Sequence, residues 1–260
     1  MWSKLIRDFL GIPGNFGYGD FPEGWSKPES HTGPAEFTPL KSALLAKRQG
    51  GLYAILSGVL VWTAARLEHK TDVSALEDLA VALFLLQQDN AYYRRPAKRT
   101  SIIDINRSEK YAATVLNMLD IFYEDRFYNL QRWPLYPNFS AVAQTINLSR
   151  HHMGPAQRAV FDPWVEGMIA RIGVLASFPE AAQLQFDIPE AEQENQRIQT
   201  MGPAIPPQAL DLSVDAATLD APQAWRAFLT SVDWAGNRYL NPPDAVVLPP
   251  GRGRAYAEPR

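Results

Sequence analysis

Apolar residues recur every three or four positions through most of the chain between residues 40 and 232, which is the spacing of helices with one buried stripe. Thr38 followed by Pro39 reads as an N-cap and a first helical position, and predicts a helix to about Gln49. Gly50-Gly51 then breaks the chain, or bends it into a second helix from Leu52 to about Lys70. That second stretch is apolar nearly all round, with Leu52, Ile55, Leu56, Val59, Leu60 and Trp62, so it belongs at the centre. The pattern Ser74-x-x-Glu77 reads as a capping box opening a helix with Leu76, Leu79, Ala80, Leu83, Phe84 and Leu86 on one face, ending near Tyr93. Ser108 is placed to cap a further helix, with Ala112, Val115, Leu116, Leu119, Phe122 and Tyr123 on one face and Lys110, Asn117, Asp120 and Glu124 opposite. Further helices are predicted over 139–150, 155–177, 179–199 and 221–232. Pro155, Pro163, Pro179 and Pro222 suit first-turn positions, and Asp162-Pro163-Trp164 is a signal for a fresh helix start. Ser177-x-x-Glu180 and Asp220-x-x-Gln223 read as two more capping boxes. Ile102–Ile105 and Ala245–Leu248 are the two short strand candidates. The expectation is an all-α fold: a single compact, irregular helical bundle with a Gly/Pro-rich N-terminal arm and C-terminal tail.

The prolines sharpen these boundaries. Five lie in residues 13–39, and only Pro96 falls between Leu40 and Trp133. Proline removes a donor and clashes with the preceding turn, so long helices belong in the proline-poor span and irregular chain on either side. Residues 1–39 are therefore expected to form an arm, 40–235 the helical domain and 236–260 a tail. The arm carries Phe16, Tyr18, Phe21, Trp25 and Phe37, more large rings than a solvated linker would hold, and so is expected to lie against the body.

Composition narrows the chemistry. The chain of 260 residues has no cysteine, which removes thiol nucleophiles, disulfides and Cys-ligated metals together and suits a reducing cytoplasm. Its net charge of −3 disfavours a protein whose main task is coating nucleic acid. No signal-peptide pattern stands at the N-terminus, and the apolar stretch from Gln49 to Ala65 is short and interrupted for a membrane span, so no membrane association is expected.

No nucleophile elbow, His-Glu-x-x-His or Glu-x-x-His pattern occurs, and neither a cofactor nor a metal is predicted. Gly14-Asn15-Phe16-Gly17-Tyr18-Gly19 lacks the flanking strand and helix of a phosphate cradle and reads as a packed turn. Four sets of titratable or charged residues remain. Asp120 and Glu124, four apart on one helix face, are a candidate acid–base pair, and His151-His152 near Asp162 and Glu166 is a second candidate catalytic group. Against the latter stands the ordinary role of a helix-terminal histidine, facing free carbonyls and the negative end of the dipole. Residues 92–110 hold six basic against two acidic residues after Tyr92-Tyr93, with Arg94, Arg95, Lys98 and Arg99 as a candidate anion site. Residues 180–220 hold eight acidic residues against Arg197 alone, with Asp187, Glu190, Glu192 and Glu194 as the candidate partner-binding set.

The sequence thus points to a non-enzymatic protein-binding module in the cytoplasm, with a protein partner and homo-oligomerisation both open. An immunity protein that neutralises a cognate toxin through an acidic surface is one concrete form of it. The alternatives are an α-helical hydrolase or transferase using the carboxylate or histidine groups, and a structural component of a phage or secretion assembly. Asn106-Arg107-Ser108, Asn138-Phe139-Ser140 and Asn147-Leu148-Ser149 match glycosylation acceptors in form, but little follows from that without a secretion signal.

Overall fold

Helix α1, Gln49–Leu67, is buried along all 19 of its residues, as its unbroken apolar circumference requires. It meets the length and mean hydropathy of a membrane span, yet lies wholly inside the protein as its core helix. The computed structural model describes residues 7–18, 21, 40, 42–44, 47–88, 92–94, 110–123, 139–176 and 201–246, without the side chains of 110, 120–123, 139 and 140. Around α1 stand α2 (Ser74–Leu86), α3 (Lys110–Tyr123), α4 (Phe139–His151), α5 (Pro155–Leu175) and α6 (Ala221–Ser231), with 3₁₀ turns at Pro207–Leu210 and Pro243–Ala245. α1 packs most extensively on α2, and then on α4, α5 and the first 3₁₀ turn, while α3 touches α2 and α4. The fold is all-α. Among the described residues there is no strand; Tyr93 and Leu240 form an isolated antiparallel bridge. Of the two strand candidates, 102–105 and 247–248 lie outside the described residues, and Ala245 ends a 3₁₀ turn.

Gly50-Gly51 does not break a helix. Both glycines lie in the first turn of α1, and the chain turns before them, with Arg48 extended and its N–H donating to Ala176 O at 2.9 Å. Their role is close approach: a Cβ on Gly50 would stand 2.6 Å from Met201 O, and one on Gly51 2.4 Å from Ile172 Cγ2. Gly58 continues the pattern, with the Trp164 ring 2.7 Å from where its Cβ would be.

Pro163 does not open a new helix either. α5 runs through it. Pro163 and Ala159, whose carbonyl loses its donor, are both on the solvent side of the helix, where a missing backbone bond costs least. α3 buries Ala112, Val115, Met118 and Leu119, while Leu116 is half-buried, so its inner face is turned slightly from the predicted one. At Asp220 the cap forms as predicted, its carboxylate accepting from Gln223 N at 2.9 Å. The helix predicted over 179–199 lies outside the described residues.

The polar residues of α1 are tied inward. Ser57 and Thr63 donate to the carbonyls four residues back, as do Thr145 and Ser149 on α4. Thr63 Oγ1 and Ser149 Oγ also lie 2.7 Å apart, both fully buried. Each hydroxyl has one proton, so the contact between helices forms only when one of the two releases its own backbone carbonyl. This places Ser149 of the Asn147-Leu148-Ser149 tripeptide inside the helix pair.

Alanine normally favours a helix over glycine by about 1 kcal/mol. At Gly51 the order is reversed, because the added methyl group meets Ile172. Gly51→Ala should lower unfolding stability by about 2 kcal/mol. Gly14→Ala, at a position with nothing within 4 Å of the added carbon, should change it by less than about 0.5 kcal/mol. Denaturant unfolding of both variants checks the pair.

Candidate functional site

The capping box expected at Ser74 is not formed, and its residues serve longer-range contacts. Val73 is the N-cap, and the Ser74 N–H donates instead to Asp72 Oδ1 at 2.9 Å. Glu77 accepts from Arg7 Nη2 at 3.0 Å, and Arg7 also pairs with Glu68. The adjacent Asp78 pairs with Arg238 Nε at 2.7 Å, and Arg238 Nη2 donates to the Ser74 hydroxyl at 3.0 Å. One helical turn therefore binds the N-terminal arm through Glu77 and the C-terminal loop through Asp78. Burial raises the Glu77 carboxyl above its ordinary range, Arg7 opposes the rise, and Glu68 and Asp78 add to it. Burial likewise raises Asp78, against Arg238 and with help from Asp233.

Arg66 organises the C-terminal end of α1. Its guanidinium is fully buried; Nε donates to His152 O at 3.2 Å and Nη1 to Gly17 O at 2.9 Å. It also lies 3.9 Å over the Phe21 ring. The arm continues this contact. Phe16 stands edge-on to Trp62 at 4.6 Å, Tyr18 stacks on His69 at 4.5 Å, and Gln157 Nε2 donates to Tyr18 O at 2.9 Å. The glycine-rich run at 14–18 is thus a packed turn: a Cβ on Gly17 would lie 2.4 Å from Ala65 O.

The third feature is the first 3₁₀ turn together with the loop that follows it. Arg171, on α5, donates to four of its carbonyls: Ala209 at 3.0 Å, Asp211 at 2.8 Å, Leu212 at 3.3 Å and Val214 at 2.8 Å. Trp164 Nε1 donates to Leu210 O at 2.9 Å, and Gln87 exchanges two hydrogen bonds with the backbone of Ile205. Asp211 Oδ1 accepts from the N–H and hydroxyl of Ser213, and Asp215 Oδ1 from Ala217 N. With the cap at Asp220, three acidic residues in ten positions each fix a turn, and Asp215 and Asp220 remain exposed. The Gly11 backbone, at φ 66°, approaches Asp211 so closely that a Cβ would stand 2.8 Å from Oδ1.

The predicted site residues fall as follows. Arg94 of the candidate anion cluster is turned to the C-terminal loop: Nε donates to Arg238 O at 3.3 Å, Nη2 to Asn237 O at 3.1 Å, and its N–H to Tyr239 O at 2.8 Å. Arg95, Lys98 and Arg99 lie outside the described residues, as do Asp187, Glu190, Glu192 and Glu194. Asp120 is in α3, its side chain not described, and Glu124 lies beyond the described residues. His151 ends α4 and His152 follows fully buried, their rings 6.0 Å apart and nearly perpendicular. The Asp162 carboxylate is taken by Arg150 Nε at 2.7 Å. Among the described residues no group of acidic and histidine side chains is arranged to hold a metal. The roles of Arg7, Arg66 and Arg171 were not read from the sequence; each is one cation among ordinary neighbours, and only the fold shows the distant carbonyls and carboxylates it gathers. No family model, no curated protein and no solved structure matches this chain.

Because Glu77 and Asp78 hold protons more readily when folded, their ionisation lowers stability as pH rises from their ordinary values of 4.5 and 3.8 into the raised range. Removing Arg7 leaves Glu68 and Glu77 half-buried without their counter-charge. Arg7→Ala should cost about 2 kcal/mol near pH 7 and clearly less near pH 4.5, because the raised Glu77 carboxyl takes up its proton as pH falls and then needs the counter-charge less. Urea unfolding at the two pH values tests this; an equal loss at both would assign the effect to packing of the arginine stem.

Proposed function

We propose that this protein is a non-enzymatic, cytoplasmic helical binding module that meets a basic protein partner through its acidic 180–220 segment. Neutralisation of a toxin by an immunity protein is the narrower form of that reading. The observation that carries it is the fixing of the acidic loop before any partner arrives. Arg171 ties four carbonyls between Ala209 and Val214 to α5, and Asp211, Asp215 and Asp220 each close a local turn. A loop already ordered costs little further entropy on binding, so more of the contact energy is available for affinity. Its charge acts at longer range. Exposed carboxylates of one sign steer a basic partner and raise the association rate, with a strong dependence on ionic strength. Asp187, Glu190, Glu192 and Glu194 extend the same charge along the chain.

Asparagine retains the oxygen acceptor of an Asx turn and an N-cap. The triple variant Asp211→Asn, Asp215→Asn, Asp220→Asn therefore removes three charges while keeping the turns. Affinity capture from native lysate, at low and high salt, should yield a stoichiometric protein partner with the wild type at low salt. That partner should be depleted by high salt, by the triple variant and by Glu190→Gln with Glu192→Gln and Glu194→Gln. With the partner in hand, these variants should slow association and flatten its salt dependence. Association rates equal to wild type at low salt would overturn the electrostatic reading.

A further inference from the structure

α5 is apolar on both of its sides. The inner side buries Phe161, Trp164, Val165, Met168 and Ile172, as a core-facing helix should. The outer side of such a helix is ordinarily charged, and here it is not. Ala156, Ala159, Val160, Pro163, Ala170 and Val174 recur at helical spacing and form one exposed stripe. Among the described residues three of the four large apolar side chains that stand exposed belong to this surface. Val160 at 41% and Val174 at 84% lie in the stripe, and Leu212 at 37% lies beside it. Leu212 rests on Gly167, where a Cβ would stand 2.6 Å from its Cδ1, and so widens the stripe towards the loop. The surface is fixed in place, because Arg171 holds the Leu212 and Val214 carbonyls and Trp164 the Leu210 carbonyl.

A 21-residue helix is about 30 Å long, and an apolar stripe along it has the form that receives another helix. Ala156, Ala159 and Ala170 let a second backbone come close. The charges around the stripe decide what that helix carries. Gly167, Arg171 and Trp164 hold the loop with the exposed Asp215 and Asp220 along one side, and the exposed Glu166 stands on the other. Arg158 is the one exposed cation of α5. Pro163 leaves the Ala159 carbonyl without its helical donor, an acceptor within the stripe that a lysine or arginine can take. A second copy of this chain would bring carboxylates against carboxylates along both sides, whereas a helix with an apolar face flanked by cations is matched to them.

We propose that the outer face of α5, widened by Leu212, is the groove in which an amphipathic, basic helix of the partner docks. This rests on the reading of the protein as a binding module for a basic protein, and adds an apolar contact to it. The charge of the loop governs how fast the partner arrives, and the stripe governs how long it stays.

The probe is a synthetic peptide of leucine, alanine and lysine, as long as α5, with one apolar helical face flanked by lysine. A peptide of the same composition in scrambled order is the control. Binding to the full-length protein is followed by fluorescence anisotropy and stopped flow at low and high salt. The wild type should bind the amphipathic peptide at least about tenfold more tightly than the scrambled one. Val160→Ser with Val174→Ser should weaken binding about tenfold at both salt concentrations, through faster dissociation and with thermal unfolding unchanged. Ala170→Phe adds apolar area but blocks the close approach, so it should weaken binding as well; a patch that is only sticky would bind more tightly. Equal binding by the wild type and the serine pair overturns the inference, as do equal binding of the two peptides and tighter binding by Ala170→Phe. A wild-type dimer that the serine pair abolishes also overturns it, and gives the face to a second copy. The Asp211→Asn, Asp215→Asn, Asp220→Asn variant separates the two readings. If it slows association while the serine pair has no effect, the docking face falls and the electrostatic reading stands. If it has no effect while the serine pair dissociates faster, the docking face is supported and the electrostatic reading falls.

Discussion

Enclosure of α1 on every side is the constraint on which the remaining structure depends. A helix of 19 residues with no solvent face must be covered by helices, loops and both flanking segments together. It cannot solve its polar groups with water. Ser57 and Thr63 turn to their own backbone, and Arg66 to carbonyls from two other parts of the chain. It also cannot hold its neighbours at ordinary distance throughout, so Gly50, Gly51 and Gly58 mark where a backbone carbonyl, an isoleucine and a tryptophan come closest. The arm belongs to this enclosure: Phe16 closes the Trp62 side of the helix.

The elements legible in the sequence are those fixed by local chemistry. The all-α class, the central place of α1, the span of α4 and the Asp220 cap each follow from periodicity or from residues a few positions apart. The misreadings share one cause. Ser74 and Glu77 have the spacing of a capping box, but Glu77 is drawn to an arginine 70 residues earlier and Ser74 to one 164 residues later. Gly50-Gly51 has the composition of a break, and its need for glycine comes from Met201 and Ile172, which no local window contains. Pro163 is tolerated because the face it occupies is wet, which is a property of the assembled fold.

The candidate surface was legible in part. Acidic excess over 180–220 is visible as composition, and the Asx signals at Asp211 and Asp215 are local. What orders the loop is Arg171, forty residues away by sequence, acting on carbonyl oxygens that carry no sequence signature at all. A guanidinium is suited to this because its planar set of five donors reaches several acceptors at once. The same chemistry recurs at Arg66 and Arg94, whose guanidinium groups also donate to main-chain carbonyls.

The attachment of Arg7 and Arg238 to adjacent residues of α2 bears on how the molecule carries mechanical load. Tension applied between the two flanking segments converges on Glu77 and Asp78 and crosses the body over a single peptide unit. The ion pairs at that point are the first elements in series with the force. α1 is loaded next, because the arm also rests on it through Phe16 at Trp62 and Gly17 at Arg66. Anchored by its ends, the domain would yield first at these ion pairs, before Phe16 and Tyr239 are drawn from the core.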